Sequence, residues 1–158
     1  MGNSSYGPET GGGSFETAVF QEVKAPGIQS HAFSSKTFEA IEFNTQIVPQ
    51  SWVSLSSNQF TLDAGIYYFV YKPTWQVMPT NIDISVYDVN ASDVIGGTKT
   101  MVDTSSDVPA NNTIPFYLNI SSQVTFELRY YILGIPSNIF GRSQGTEYYQ
   151  HLSITKIG

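Results

Sequence analysis

His31 and His151 are the only imidazoles in the chain, and cysteine is absent. Nucleophilic catalysis needs a hydroxyl or thiol beside a base that a third group orients. There is no thiol, and no GxSxG elbow lifts a serine onto a sharp turn. His31 follows Ser30 in a turn region, the setting of a loop histidine. His151 lies within YYQHLSI, the setting of a structural or interface histidine. Glu39, Glu42, Asp83 and Asp88 are the remaining material for acid–base work, since paired carboxylates hydrolyse glycosides. Their spacing does not join them, and solvated strand edges are their ordinary place. Asp83, Asp88 and Asp93 form the one acidic stretch that calcium could use, but the spacing departs from the EF-hand loop. Two histidines without cysteine do not make a zinc site in one protomer, although one histidine per subunit could meet on a symmetry axis. The expectation is no catalytic residue, no metal and no cofactor.

Composition narrows the partners. Seven Lys+Arg against thirteen Asp+Glu give a net charge of -6, and the cations are scattered from Lys24 to Lys156 without a patch. Nucleic acid needs a concentrated positive surface, so it is set aside. The apolar runs fall far short of the ~20 residues of a membrane helix. The opening MGNSSYGPETGGG has neither a basic start nor an apolar stretch, so no secretory signal is read there, and Tyr6 stands where myristoylation wants Ser or Thr. Sequons at Asn3, Asn90, Asn111 and Asn119 are expected from chance in a chain rich in Asn, Ser and Thr.

These residues must be held by strands. Ten Tyr, ten Phe and thirteen Gly in 158 residues suit β runs broken by turns. NIDISVYDV alternates Ile82, Ile84 and Val86 against Asn81, Asp83 and Ser85. IPFYLNI puts Phe116, Leu118 and Ile120 on one face, and TFELRYYIL does the same with Phe126, Leu128, Tyr130 and Ile132. IYYFVYK is different, because Ile66, Tyr68 and Val70 oppose Tyr67, Phe69 and Tyr71, and both faces want cover. No stretch shows a helical apolar period. Eight or more short strands with turn signals about every ten residues describe an all-β antiparallel sandwich of jelly-roll type. Residues 1–14 offer little to bury and read as a flexible arm, leaving 15–158 as the domain.

FNT followed by SLSSNQFTLDAGIYYF (Phe43 to Phe69), SVYDVNASDVIGGT (Ser85 to Thr98), and TFELRYY with the closing EYYQHLSITKI (Thr125 to Ile157) together resemble the tumour-necrosis-factor-like and complement-head jelly rolls. More narrowly, they are similar to versions found on bacteriophage virion surface proteins. The resemblance covers residues 16–158. Tyr130-Tyr131-Ile132-Leu133 departs from it, since those domains usually carry smaller residues there.

The resemblance implies a homotrimer on the virion surface. The residues expected at the subunit contact are Tyr67, Phe69, Tyr71, Arg129, Tyr131, Tyr149 and His151. Tyr6, Pro8 and Phe15 are the candidates by which the arm docks on a capsid or another virion protein. Capsid decoration is the first functional expectation. The alternative is a receptor-binding tip of a tail or head fibre that recognises a host glycan or protein through distal loops, with Trp75, Asn111, Phe140 and Arg142 as candidates.

Overall fold

The computed structural model describes residues 15–26, 28, 37–73, 81–101, 113–133 and 147–158. Alternation sets the strands. In Ile114–Ile120, every second residue from Ile114 to Ile120 is buried, while Pro115, Tyr117 and Asn119 are exposed. Val124, Phe126, Leu128 and Tyr130 are buried in the same rhythm. A chain patterned this way has one face to hide, and two sheets placed face to face hide both.

Among the described residues eleven strands run in order: β1 (Glu16–Lys24), β2 (Phe38–Ala40), β3 (Thr45–Val48), β4 (Val53–Ser56), β5 (Gln59–Leu62), β6 (Gly65–Pro73), β7 (Asn81–Asp88), β8 (Asp93–Met101), β9 (Ile114–Ile120), β10 (Val124–Leu133) and β11 (Glu147–Lys156). The first sheet has the order β3-β1-β11-β6-β9. The second is β4-β5-β10-β7-β8, with β2 also on β10. Every pairing is antiparallel. The tight turn between β4 and β5 is Ser57-Asn58, one residue beyond the Ser56-Ser57 break in the sequence pattern. Both residues have positive φ (50° and 68°), the conformation of a two-residue hairpin turn whose twist matches its strands.

The core between the sheets is an aromatic chain. Phe20 meets Phe60 edge-on at 4.9 Å, Phe60 stacks on Phe126 at 5.3 Å, Phe126 meets Phe69 at 5.7 Å, and Phe69 stacks on Phe116 at 4.7 Å. Tyr67, Phe69, Tyr71 and Tyr149 belong to this core and are at most 1% exposed. This corrects their expected place at a subunit contact. Pairing decides the side: Phe69 lies opposite Ile154 and Tyr71 opposite Leu152, so the strand turns its odd residues inward with the apolar residues of β11. Each buried ring also finds a partner for its hydroxyl, as burial demands. Tyr67 donates to Asp63 O, Tyr149 to Ile28 O, and Tyr71 to Gln150 Oε1.

The sandwich has two poles. Glu16 pairs with Lys156 at one, where the turns joining β5 to β6 and β9 to β10 also lie. At the other pole β1 ends at Lys24 opposite Glu147, β6 ends at Pro73, β7 begins at Asn81 opposite Leu133 and Met101, and β9 begins at Ile114. Trp75, Asn111, Phe140 and Arg142 lie outside the described residues, but the strands flanking their segments all open at this second pole.

Candidate oligomer interface

The outward face of the first sheet is built in rows across its strands. Thr17, Thr155, Tyr68 and Tyr117 form one row, and Val19, Ser153, Val70 and Pro115 the next. Gln21, His151 and Lys72 form a third. The first two rows carry no charged side chain, and Lys72 is the single ammonium of the third. Thr17 and Thr155 share a hydrogen bond at 2.9 Å, and the rings of Tyr68 and Tyr117 pack at 4.7 Å. Tyr117 is nevertheless 68% exposed, Ile66 is exposed on the neighbouring strand, and Ile47 and Val48 are exposed on β3 at the opposite edge of the sheet. An aromatic and aliphatic surface depleted of charge has the composition of an interface centre.

His151 is the one expected contact residue on this face. Its Nδ1 lies 3.2 Å from Gln21 Nε2 and its Nε2 3.2 Å from Ser153 Oγ. Burial first, and then the Lys72 charge, lowers its pKa from the usual 6.5. A base whose folded pKa is depressed binds fewer protons when folded, so its contribution to stability is complete above pH 6.5 and is lost as pH falls through the folded value. His151→Gln is therefore expected to reduce the fall in melting temperature between pH 7 and pH 5. An unchanged pH slope would refute this role.

Arg129 and Tyr131 lie on the other sheet, which corrects their grouping with His151. Their strand β10 pairs with β7, so they face outward on the opposite side of the molecule. Arg129 is committed there, with Nε 3.0 Å from Glu127 Oε2 and its guanidinium 3.3 Å over the Tyr87 ring. Tyr131 packs on Phe38 at 4.9 Å. Tyr6, Pro8 and His31 lie outside the described residues. Phe15 is 73% exposed at the start of β1.

The carboxylates do not converge. Asp88 Oδ1 accepts from the N–H groups of Asn90 and Ala91, Asp93 Oδ1 accepts from Val94 N, and Asp83 sits farther along β7. Among the described residues no group of three or more His, Asp or Glu is placed to hold a metal. Glu39 accepts a hydrogen bond from Tyr130 Oη at 3.0 Å, and Glu42 accepts one from Lys24 Nζ at 2.6 Å. Burial, and then the Glu39 charge, pushes the Tyr130 pKa far above its ordinary value. Such a phenol stays protonated and holds Glu39 in place.

Crystal structures of murine APRIL at pH 8.0 and pH 8.5 superpose on the chain with TM-scores of 0.52 and 0.51. Each is 9% identical to it over 90% of this chain and 100% of theirs. The fold is a tumour-necrosis-factor-like jelly roll. No family model and no curated protein matches the sequence. In this TNF-like jelly roll the uncharged rows lie on the sheet that holds β1 and β11, and the charged Glu127–Arg129 pair on the other.

The sequence pattern missed Tyr68 and Tyr117 as a pair. The available signal was a tyrosine on the otherwise polar side of IPFYLNI, between Pro115 and Asn119.

Proposed function

We propose that this chain is a non-catalytic structural protein of a bacteriophage particle, a trimeric knob on the virion surface that decorates the capsid. The trimer reading is carried by the outward face of the first sheet, where Tyr117 stands 68% exposed in rows that lack charge. The phage assignment is supported by the resemblance of Phe43 to Phe69 and Thr125 to Ile157 to virion jelly rolls. A trimer built on this face turns the charged second sheet outward, and threefold positions of a capsid lattice suit it.

A receptor-binding tip is the second reading. One observation favours it: the segments holding Trp75, Asn111, Phe140 and Arg142 are bounded by strands that open at the pole opposite Glu16. An arm anchored before Glu16 would present those segments away from the particle.

Light scattering on a sizing column tests the trimer. The expected mass is near three times 17.4 kDa. Tyr117→Lys puts a charge into the uncharged rows of the proposed contact and is expected to give a folded protein of one-third that mass, since like charges brought together cost several kcal/mol. A monomeric parent chain would overturn the reading. Binding to bare capsids, lost on deleting residues 1–14, then separates decoration from adhesion.

A further inference from the structure

Of the three rows on the outward face of the first sheet, the third carries both the imidazole and the ammonium. Gln21 of β1, His151 of β11 and Lys72 of β6 lie side by side in register, and Thr45 of β3 follows beyond Gln21. The imidazole adjoins the uncharged rows, because Ser153, two residues along β11, belongs to the second of them.

Hydrogen bonds within the protomer select the neutral ring. Gln21 Nε2 can only donate, so His151 Nδ1, 3.2 Å away, accepts and carries no hydrogen. Nε2 then holds the ring proton and directs it to Ser153 Oγ at 3.2 Å. A second proton must go on Nδ1, where it meets the Gln21 N–H groups and obliges that amide to turn. The imidazolium also lacks a counter-charge among the described side chains. Across β6 it faces the exposed Lys72 ammonium, and across β1 it faces the uncharged Gln21. Along its own strand stand Ser153 and the Tyr149 ring, which is turned into the core. Glu22 lies on the inward side of β1, where it and Glu42 hold Lys24.

We infer that the subunit contact on this face is acid-labile, with His151 as its proton switch: neutral His151 permits assembly, and protonated His151 releases folded protomers. The inference rests on the trimer reading above and adds its regulation. A second copy laid over the rows takes water from the third row too, and a cation there finds no partner for its lost hydration. Each subunit would bring that cation in beside its own Lys72, and like charges gathered at a contact oppose it. The free protomer therefore takes up the proton more readily than the assembled one. Proton uptake then drives dissociation by linkage, with assembly complete at neutral pH and weakened progressively as pH falls through the imidazole range.

Light scattering on a sizing column at pH 7 and pH 5, at one ionic strength and over a dilution series, tests it. Far-UV circular dichroism on the same samples follows the strands. The concentration at which half the chains are assembled is expected to rise at least ~10-fold at pH 5, with the strand spectrum unchanged. His151→Gln keeps a donor and an acceptor but cannot take the proton, so its shift should stay under about 2-fold. Lys72→Gln removes the neighbouring charge and should fall between the two. A parent chain equally assembled at both pH values at every dilution overturns the inference and leaves the trimer standing. So does a His151→Gln chain that dissociates as the parent does, or a loss of mass that comes with a loss of strands. A parent monomeric at pH 7 overturns the trimer reading and this inference together.

Discussion

Replacing Lys24 with methionine is expected to lower folding stability by about 3 kcal/mol in urea unfolding at neutral pH and fixed protein concentration. Glu22 is a carboxylate with no exposed surface, an uncommon state for an acid without a cation beside it. Lys24 Nζ lies 3.3 Å from Glu22 Oε1 and 2.6 Å from Glu42 Oε2. Burial works against the ammonium, yet the Glu42 hydrogen bond and the Glu22 charge outweigh it and raise the Lys24 pKa. Methionine keeps the volume and removes the charge, so Glu22 and Glu42 lose the cation they share. Glu22→Gln in the Lys24→Met background should restore part of the loss, which a simple packing defect would not show. A cost below about 1 kcal/mol for the single change would mean that water already screens the pair.

Phe126→Ala is expected to cost about 4 kcal/mol and to lower the melting temperature by roughly 10 °C or more. The ring has no exposed surface and touches both halves of the aromatic chain, stacked on Phe60 and edge-on to Phe69. Those neighbours come from strands of opposite sheets, so neither can move to fill the cavity without disturbing its own ladder. Tyr117→Lys is the useful contrast. That side chain is exposed in the protomer, so its loss should change mass in solution with little effect on the protomer fold. If Phe126→Ala melted within a few degrees of the parent, the core would be packed more loosely than these contacts require.

These two sites also mark what the sequence could tell. Phe126 was legible as a core residue because TFELRYYIL alternates, and its polar partners Thr125, Glu127 and Arg129 identify the outward side. Ile114–Ile120 was legible for the same reason. IYYFVYK was not, because both its faces are apolar or aromatic and polarity gives no parity. The side was decided by β11, whose Leu152 and Ile154 lie opposite Tyr71 and Phe69. The expected contact therefore fell on the wrong residues, while Tyr68 and Tyr117 were read only as ordinary members of their strands. The buried state of Glu22 was also hidden. It stands in a run, ETAVFQEV, whose inward residues are otherwise Ala18 and Phe20, and a carboxylate there reads as solvated until its lysine is placed.

The pairing of Glu16 with Lys156 has a mechanical consequence. β1 runs from the pole where residues 1–14 would lead to a particle toward the pole where the long segments open. A knob held by that arm and pulled from its far pole would load β1 along its own axis. Its nine pairs with β11 and its pairs with β3 would then resist together, in shear. A pull between the two ends of the chain acts differently, because both ends leave from one pole. It would peel β1 from β11 one pair at a time, and the same strand would part at a much smaller force.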